Sequence, residues 1–464
     1  MLGYYFGSCQ LMGCFRSENE SISDIIKEEP YSENQRDIMA YYHIWTIGCQ
    51  MNQADSEQLA TSLERLGYQS TQQMSSADLI VLNSCVVRQS AENRVLGKLD
   101  SLKELKRLSP DTVVALAGCM VDSDTDRLRR RFPHVDLFLK PGQFNELLDL
   151  AKTRASEVSN SFALAPLSPT AFVTIIEGCD NFCSYCIVPY RRGREKSRSI
   201  AEVRRQVESL TERGVKEITL LGQNVDSYGH DLPNKPGLAD LLQELNSVAG
   251  LARIRFLTSH PKDMSQKLIQ AVASLEKVCE HISLPVQAGD DRILGAMGRG
   301  YAVQYYRELV ERIRLAIPNV ALATDVIVGF PGETEEQFQR TIDLLSDLRF
   351  DTVHVAAYSP RPGTTAARRF KDDIPLSEKR RRLHEVEELQ GSIASEINAQ
   401  LLGHDMEVLV EGKKKGKWYG RTRTDKLVFF QDNADCLGQL VNIEVKKTSP
   451  WALQGSLKPR ESKI

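Results

Sequence analysis

The sequence of 464 residues predicts an α/β protein with three successive folded parts. Strand-like and helix-period segments alternate through residues 41–156 and again through residues 165–400, which is typical of parallel sheets covered by helices. Residues 401–464 instead contain short β-branched runs separated by Gly and Asp turns. We therefore expect an N-terminal doubly wound parallel-sheet domain, a central partial barrel of six βα units and a small C-terminal β-barrel, in that order.

The composition limits the classes of protein to consider. Hydrophobic residues make up 41% and charged residues 26%, which excludes a wholly disordered chain. No stretch approaches about 18 uninterrupted apolar residues, so we expect no membrane-spanning segment. The net charge of −3 gives no overall basic field for nucleic acid but leaves room for a local one. Ten cysteines are too few for a disulfide scaffold, which favours a cytoplasmic protein that uses patterned cysteines for metal or redox chemistry.

Two segments differ from the folded parts. Residues 1–40 contain seven acidic and three basic residues without a clear period, so we expect a poorly ordered extension. Met39 is an alternative start, in which case Cys9 and Cys14 have no role. Residues 151–170 are rich in Ser and Pro and are interpreted as a linker.

Three strand-like runs of the first part each lead into a cysteine. Residues 42–47 precede Cys49, residues 79–82 precede Cys85, and residues 113–117 precede Cys119. The carboxyl ends of parallel strands meet at one edge of a sheet, where ligands bind. Three core cysteines are the alternative. Their shared position at strand ends favours a common metal or cluster site.

The second part contains six strand-like runs, separated by helix-period segments such as 200–213 and 334–348. Chemistry in a βα barrel is expected in the loops that follow its strands. A long charged helix over about 376–400 leads out of this part. The six runs are 172–176, 217–221, 253–258, 281–286, 322–328 and 352–357.

The strongest motif is a Cys-x-x-x-Cys-x-x-Cys run directly after the first barrel strand, formed by Cys179, Cys183 and Cys186. A 4Fe-4S cluster usually takes four protein ligands, so three thiolates leave one iron open. An open position on a metal centre is what binding of a substrate or cofactor requires. A structural zinc site is the alternative, but it would need a fourth ligand and usually Cys-x-x-Cys spacing.

The last part carries a local excess of positive charge, with 12 basic and 8 acidic residues over 401–464. Cations that bind phosphates, together with aromatic rings that stack on bases, are typical of RNA binding. A solvated hairpin is the alternative. The candidate RNA-binding residues surround Trp418 and Tyr419 and are Lys413, Lys415, Lys417, Arg421 and Arg423.

The spacing of the three cysteines, with Tyr185 before the last of them at the start of a βα barrel, resembles the radical SAM superfamily. The resemblance implies that Cys179, Cys183 and Cys186 hold a catalytic 4Fe-4S cluster whose open iron chelates S-adenosylmethionine. It also implies cofactor contacts at the ends of the first, second, fourth and fifth strands. The residues concerned are Tyr185, Gly222, Gln223, Gln287 and Gly329.

The order of the parts and several local motifs are similar to the methylthiotransferase family of radical SAM enzymes, most closely to its tRNA-modifying MiaB branch. The resemblance covers residues 41–464 and implies that the tail is a TRAM RNA-binding β-barrel. It also implies that Cys49, Cys85 and Cys119 hold a second 4Fe-4S cluster, which holds or supplies the inserted sulfur. The motifs are 48–52 (GCQMN), 83–88 (NSCVVR), 117–119 (AGC), 186–195 (CIVPYRRGRE) and 358–364 (YSPRPGT).

The implied reaction is methylthiolation of C2 of N6-(dimethylallyl)adenosine at position 37 of tRNA, beside the anticodon. It requires S-adenosylmethionine, an electron donor such as flavodoxin or ferredoxin, and a sulfur donor that the resemblance does not identify. We expect a monomer. Ala288, Asp290 and Ile47 depart from the common family pattern but are not cluster ligands. Cys279 and Cys436 fall outside both sets of three and are interpreted as core residues.

Other substrates and one other class of protein stay open at this point. Within the family, the rivals act on threonylcarbamoyl-adenosine in tRNA or on an aspartate of a ribosomal protein. The GCQMN run and the basic stretch 191–194 favour tRNA over ribosomal protein. The remote alternative is a non-catalytic iron-sulfur RNA-binding protein, which would leave six motif-bearing strand ends without a role.

Overall fold

The computed structural model describes residues 40–87, 89–121, 125–155 and 168–458. The predictions for residues 1–39, including Cys9, Cys14 and the start at Met39, lie outside these ranges, as do residues 156–167 of the predicted linker. The ends of that predicted linker are wrong, because residues 151–155 belong to a helix and Thr170 begins a strand. Two compact units are formed. One consists of the described residues up to 155 together with 190–192, and the other of the described residues 168–189 and 193–458.

The N-terminal unit is built on a five-stranded parallel sheet with helices on both faces. The strand order is β2-β1-β3-β4-β5, which is a doubly wound order with its switch point between β1 and β3. The strands are β1 (Tyr41–Ile47), β2 (Gln69–Ser70), β3 (Leu79–Ser84), β4 (Val113–Gly118) and β5 (Leu137–Leu139). The helices are α1 (Gln50–Arg65), α2 (Gln89–Leu108), α3 (Thr125–Arg131) and α4 (Asn145–Ala155).

The central strands of this sheet are buried on both faces, and their sequences explain why. β3 and β4 read LIVLNS and VVALAG, the nearly continuous apolar runs expected of a covered parallel sheet. Val81 packs in one core with Leu59 and Leu147, whereas Ile80 packs in a second core with Leu99. The predicted doubly wound domain is therefore confirmed.

The second unit begins with six parallel strands in chain order. They form the sheets β10-β9-β6 and β11-β12-β13, which are linked by a parallel bridge between Ile254 and Val278. This arrangement confirms the predicted partial barrel. Its strands are β6 (Thr170–Thr174), β9 (Glu217–Leu221), β10 (Arg253–Phe256), β11 (His281–Ser283), β12 (Ala321–Val328) and β13 (Thr352–Ala357). A short antiparallel pair, β7 (Ile176–Glu177) and β8 (Lys196–Ser197), flanks the cysteine loop.

Helices cover the outside of the barrel, and capping residues fix where several of them begin. Ser199 and Thr334 each form a capping box at a helix start. The helices are α5 (Val188–Arg192), α6 (Ile200–Glu212), α7 (Leu238–Asn246), α8 (Gln266–Ser274), α9 (Asp291–Met297), α10 (Val303–Ala316), α11 (Glu335–Leu348), α12 (Thr365–Arg369) and α13 (Leu376–Ala399). No helix in the described ranges is long and apolar enough to cross a membrane.

The chain ends in a closed five-stranded barrel, as predicted. The strand order is β14-β15-β16-β18-β17, and alternate residues such as Val408, Val410 and Ile443 fill its interior. The predicted runs 407–410, 426–430 and 441–445 correspond to β14, β16 and β17. The strands KWYGRT (β15) and LQGSL (β18) were not predicted, because neither contains a β-branched apolar run. The strands are β14 (Asp405–Lys414), β15 (Lys417–Thr422), β16 (Leu427–Phe430), β17 (Leu440–Thr448) and β18 (Leu453–Leu457).

This small barrel packs against the amino-terminal edge of the βα barrel. Arg253 and Arg255 are the first and third residues of β10. Arg253 donates to the Arg421 carbonyl at 2.8 Å, and Arg255 donates to the Thr422 carbonyl at 2.6 Å. Arg423 pairs with Glu280, immediately before β11. The edge at which the strands end, where chemistry is expected, is thereby left to the loops of the βα barrel.

Candidate metal centres

Three cysteines of the N-terminal unit stand side by side at one edge of the sheet. Cys49 lies at the start of α1, directly after β1, while Cys85 and Cys119 follow β3 and β4. The Cys85 N–H donates to the Ile47 carbonyl at 2.9 Å, and the Cys119 N–H donates to the Ser84 carbonyl at 2.8 Å. The ladder of the sheet thus extends to the cysteines and sets their spacing.

Two glycines allow the strand ends to approach each other. A Cβ atom at Gly48 would lie 2.7 Å from the Cys85 Cβ. Gly118 has a φ of +93°, and a Cβ there would collide with the carbonyl of Ser84. Any larger residue at either position would push the cysteines apart. Glycine is therefore required by the close approach of these chains.

A buried amide network supports the same three residues. Asn52 Nδ2 donates to Asn83 Oδ1 at 3.0 Å and to the Ser84 carbonyl at 3.1 Å, and Asn83 Nδ2 donates to the Asn52 carbonyl at 2.8 Å. The Cys49 thiol lies 3.3 Å from Asn52 Oδ1. The GCQMN and NSC motifs are thus joined by their asparagines, which fixes the positions of Cys49 and Cys85.

The thiols interact with one another. A hydrogen bond from the Cys85 thiol lowers the pKa of Cys49 to about 6, and the same bond, with burial, raises the pKa of Cys85. Burial raises the pKa of Cys119, while the positive charge of Arg192 opposes this increase. Arg192 is itself paired with Asp55 at 2.7 Å, and both side chains are buried. The pKa of Cys49 is therefore lowered while those of the other two thiols are raised.

The second set of cysteines lies on the loop between β7 and β8. Gly178 has a φ of +76°, and a Cβ there would overlap the carbonyl of Arg194. The Cys179 N–H donates to the Gly193 carbonyl at 3.1 Å, and the Cys186 N–H donates to the Cys183 carbonyl at 2.9 Å. Burial raises the pKa of Cys179 to about 11 and that of Cys186 to about 12. The thiols are held in a tight, water-poor loop in which a metal would be needed to favour their ionised form.

A buried arginine contacts this loop. Arg299 Nη1 lies 3.4 Å from Cys183 Sγ, and Nη2 donates to the Pro285 carbonyl at 2.9 Å. Its Nε donates to Tyr301 Oη at 3.1 Å. Burial disfavours the charge of Arg299, yet the neighbouring Tyr185 and the other acidic groups raise its pKa. The guanidinium therefore stays charged next to a candidate cluster ligand.

Both donor sets fit a 4Fe-4S cluster by their chemistry. The first set offers three thiols at one edge of a sheet, and the second offers three on one loop. Three thiolates leave one iron of a four-iron cluster without a protein ligand. In the described residues, no group of three or more His, Cys, Asp or Glu side chains is arranged to hold a single metal ion. A four-iron cluster has a different requirement, because each thiolate binds its own iron.

Residues predicted to contact the cofactor surround the second loop. Tyr185 packs against the apolar cluster that contains Ala288, Phe330 and Tyr358, so the cysteine loop meets the segments that follow β11, β12 and β13. Gln287 has a φ of 75°, and its N–H donates to the Asp325 carbonyl at 2.8 Å. Gly329 and Gly222 lie in the loops after β12 and β9, and a Cβ at Gly222 would overlap Ile176. The predicted set thus lies at the carboxyl edge of the barrel strands.

Three polar atoms at this edge are buried without a hydrogen-bond partner among the described residues. They are Gln223 Oε1, Asn224 Oδ1 and His260 Nε2. The Lys262 N–H lies 3.3 Å from His260 Nδ1, so the neutral ring carries its proton on Nε2. Buried polar atoms of this kind normally have a partner, which indicates a ligand site. The sequence prediction included Gln223 but missed Asn224 and His260, although both follow strand ends.

The predicted RNA-binding residues divide into two groups. Lys413 and Lys415 are exposed on the β14–β15 hairpin, whose turn contains Lys415 and Gly416 at positive φ, and Lys417 begins β15. Arg421 instead pairs with Asp425 at 3.2 Å, and Arg423 pairs with Glu280. Their RNA roles stay predictions. Cys279 and Cys436 are buried, as predicted.

Two buried arginines were not assigned to either cysteine set by sequence reasoning. Arg299 follows the helix α9, far along the chain from Cys183. Arg192 belongs to the basic stretch that favoured tRNA, yet its side chain is only 3% exposed and pairs with Asp55. No spacing rule links these arginines to the cysteines, because the contacts arise only from the tertiary fold.

Family models match the three folded parts. The model described as the Radical SAM superfamily matches residues 173–345. The model described as uncharacterized protein family UPF0004 matches residues 41–140, and the TRAM domain model matches residues 399–458. The order of these matches is the order of the doubly wound sheet, βα barrel and small closed barrel.

Several curated relatives align over nearly the whole chain. One from Dehalococcoides mccartyi is 53% identical over 421 residues, covering 90% of this chain and 99% of that protein. One from Herpetosiphon aurantiacus is 48% identical over 90% of this chain and 97% of its own length. One from Thermoanaerobacter pseudethanolicus is 43% identical over 95% and 96%. All three are described as tRNA-2-methylthio-N(6)-dimethylallyladenosine synthase.

Solved structures support the fold alone. The radical S-adenosylmethionine methyltransferase TsrM from Kitasatospora setae, with cobalamin and a 4Fe-4S cluster bound, superposes with a TM-score of 0.54. The match covers 82% of this chain and 81% of that one, at 14% identity. The fold likeness and the far higher identity of the curated relatives lead to one conclusion. The chain belongs to the radical SAM methylthiotransferases, in the family of tRNA-2-methylthio-N(6)-dimethylallyladenosine synthases.

Proposed function

We propose that this protein converts N6-(dimethylallyl)adenosine at position 37 of tRNA into its 2-methylthio derivative. In this proposal Cys179, Cys183 and Cys186 hold one 4Fe-4S cluster and bind S-adenosylmethionine through its open iron. Cys49, Cys85 and Cys119 hold the second cluster. The observation that carries the proposal is the presence of two separate sets of three thiols, each at the carboxyl edge of its own parallel strands.

The chain's own residues would bind, orient and enclose the reacting groups. When bound, the first cluster and S-adenosylmethionine would supply the one-electron chemistry that an unactivated aromatic C2 position requires. Tyr185 and the segments around Gln287 and Gly329 would form the walls that exclude water. The unpartnered Gln223 Oε1 would accept a hydrogen bond from the methionine amino group of the cofactor.

The hairpin between β14 and β15 supports a role in binding tRNA. Lys414 and Lys417 stand directly opposite each other across the two strands, and like charges in that position destabilise a hairpin. Lys413 lies over the ring of Trp418 at 4.7 Å. The repulsion between these ammonium groups would be relieved by a polyanionic partner such as RNA. We therefore assign the phosphate contacts to Lys413, Lys415 and Lys417 before Arg421 and Arg423.

The partners and setting complete the proposal. A small electron-transfer protein such as flavodoxin or ferredoxin would reduce the first cluster, and the protein would act as a cytoplasmic monomer. The functional domains would span residues 41–156, 165–400 and 401–464. The contacts of Arg421 and Arg423 with acidic side chains give these two arginines a stabilising role beside any contact with RNA.

One experiment tests clusters, substrate and reaction together. Anaerobically reconstituted protein would be assayed for iron, then incubated with S-adenosylmethionine, a reductant and tRNA that carries dimethylallyl-adenosine. We expect about eight irons per chain, from two four-iron clusters, and a 2-methylthio nucleoside in the digested tRNA, measured by mass spectrometry. Unmodified tRNA with normal formation of 5′-deoxyadenosine would refute the substrate assignment. Parallel reactions with threonylcarbamoyl-adenosine tRNA and with ribosomal protein would then identify the alternative.

A further inference from the structure

One aromatic residue of the cysteine loop between β7 and β8 adopts an unfavourable backbone conformation. Phe182, directly before Cys183, has a φ of 45°. Bulky side chains rarely adopt this left-handed conformation, which glycine and asparagine adopt at a lower cost. Of the described non-glycine residues with positive φ, Phe182 is the only aromatic one. Backbone preference therefore does not explain a phenyl ring at this position.

The packing of the loop does not explain the ring either. Phe182 is 40% exposed, so it contributes little to a core. The loop is held by other contacts, and one is a hydrogen bond that the Ser184 N–H donates to the Met297 carbonyl at 2.8 Å. The N–H groups of Asp180 and Glu195 each donate to the carboxylate of the other residue at 3.2 Å. These hydrogen bonds fix the backbone, and the partly exposed ring indicates a role in binding.

A guanidinium group lies over part of this ring. The Arg194 Cζ atom is 5.3 Å from the centroid of the Phe182 ring, within the range of a cation–π contact. Arg194 Nε also pairs with Asp180 Oδ1 at 2.8 Å, yet the Arg194 side chain is 73% exposed. Such exposed contacts are weak, so they do not account for the strained backbone. An exposed aromatic ring beside a guanidinium plane is an arrangement on which unstacked RNA bases pack.

The position of the ring limits which base it can bind. Consecutive Cα atoms are about 3.8 Å apart, so Phe182 lies immediately beside Cys183, a ligand of the first cluster in the proposed function on which this inference rests. To react at that cluster, the target adenosine has to leave the stack of its RNA loop. The neighbouring base then loses a stacking partner, and unstacking is costly. A ring at the surface next to the reaction site replaces that partner.

We propose that Phe182 and Arg194 form a stacking platform for the nucleobase next to the target adenosine in the tRNA loop. The phenyl ring packs against the face of the base, and the guanidinium, oriented by Asp180, extends the stacked surface. Such stacking accepts any base, because every base has a π-face. Both side chains bind the substrate and form no covalent bond with it. The platform is separate from the lysines of the β14–β15 hairpin, because it lies on the loop of the βα barrel that carries the cysteines.

The test uses the full-length protein with both clusters reconstituted, S-adenosylmethionine and dithionite, so that no protein electron donor is needed. Each enzyme would receive tRNA that carries dimethylallyl-adenosine, and the same tRNA with an abasic site directly before or directly after that nucleotide. The kcat and KM for the methylthio product would be measured by mass spectrometry, together with 5′-deoxyadenosine formation and iron content. Removal of the stacked base should raise the KM of the wild type by about 5- to 150-fold.

The variants separate the ring from the bulk of the side chain. Phe182→Leu removes the ring and should raise the KM for intact tRNA by about 5- to 150-fold, with no further rise when the base is removed. Phe182→Tyr keeps a ring and should retain the KM of the wild type. Arg194→Gln keeps the ring but removes the guanidinium, so its KM should rise less. Leu315→Ala, at an exposed leucine on α10, is the matched control.

The outcomes separate this inference from the proposed function. A KM that depends on the flanking base in the wild type and Phe182→Tyr, but not in Phe182→Leu, would support the platform. Equal dependence in Phe182→Leu, or no dependence in the wild type, would overturn it. Loss of iron or of 5′-deoxyadenosine formation from both Phe182→Leu and Phe182→Tyr would also overturn it, because the residue would then serve the cluster loop alone. A normal KM in Phe182→Leu with slower reduction by flavodoxin would overturn it too, and would assign the ring to docking of an electron donor. A wild type that forms no methylthio product from intact tRNA would instead refute the proposed function.

Discussion

The contact between Arg299 and Cys183 predicts the redox behaviour of the first cluster. Arg299 Nη1 lies 3.4 Å from Cys183 Sγ and the side chain is buried, so water screens its charge little. Reduction adds one negative charge to the cluster, and a neighbouring cation stabilises that charge. Arg299→Gln should therefore lower the reduction potential, making the cluster harder to reduce.

The size of the shift follows from the strength of one hydrogen bond. A hydrogen bond to a charged group contributes about 1.5–3 kcal/mol. For a one-electron couple, about 59 mV corresponds to a tenfold change in equilibrium, or about 1.4 kcal/mol. The potential should therefore fall by up to about 60–130 mV. Arg299→Lys keeps the charge but loses the bonds to Pro285 and Tyr301, so its shift should be smaller.

The measurement is an EPR-monitored redox titration of reconstituted protein without S-adenosylmethionine. Arg292→Gln is the matched control, because Arg292 is exposed on the neighbouring helix. Iron content and the thermal unfolding midpoint would show whether each variant is folded and loaded. A potential that stays the same or rises in loaded Arg299→Gln would refute the argument that this guanidinium stabilises the reduced cluster.

Three further predictions follow from named contacts. Cys183→Ala should abolish formation of 5′-deoxyadenosine but keep the second cluster's iron, whereas Cys85→Ala should keep cofactor cleavage and lose the methylthio product. Cleavage by the first variant, or product from the second, would contradict the assignment of the two sets. Arg255→Met removes the 2.8 Å partner of buried Glu217 and leaves it only Arg253, at 3.8 Å; this should lower the free energy of unfolding by up to about 3–5 kcal/mol, with faster proteolysis near residue 400. Adding Glu217→Leu should restore much of the loss, and failure to do so would locate the effect elsewhere. Burial raises the pKa of Asp226 to about 7 from 3.8, so more protons are bound in the folded state and stability should fall as pH rises between those values. Asp226→Asn should flatten this dependence in denaturant titrations at pH 5 and 8, and an equally steep curve would contradict it.

The fold could be predicted from the sequence wherever a local residue pattern is produced by a single structural environment. The apolar runs of β3 and β4 mark strands covered on both faces, and the cysteines after them are placed by the rule that parallel strands end at one edge. The prediction failed where pairing with strands distant in sequence, and not the local pattern, determines the structure. β18 is held by pairing with β16 and β17, so its own sequence, with a central Gly455, carries little strand signal.

The candidate sites were predictable only as far as their ligands. The short Cys-x-x-x-Cys-x-x-Cys spacing predicted the second set, whereas the position of Cys49, Cys85 and Cys119 after three strands predicted the first. The basic residues were harder to interpret, because sequence gives their charge but not their partner. Arg192 lies in a stretch that favours RNA binding by composition, yet it is buried against Asp55. Arg423 lies in the basic tail, yet it pairs with Glu280 on the βα barrel.

The two sets of thiols share an electrostatic requirement that explains both buried arginines. In the proposed assignment, three thiolates and the cluster they would hold concentrate negative charge in a water-poor site, where repulsion between like charges is strong. Each set has a guanidinium from outside its own motif, Arg192 beside Cys119 and Arg299 beside Cys183. The anchoring differs, because Arg192 is neutralised in part by Asp55 whereas Arg299 is held by a carbonyl and a phenol. Arg299 would therefore offer a full charge to a cluster that must accept an electron, whereas Asp55 offsets part of the charge that Arg192 brings to Cys119.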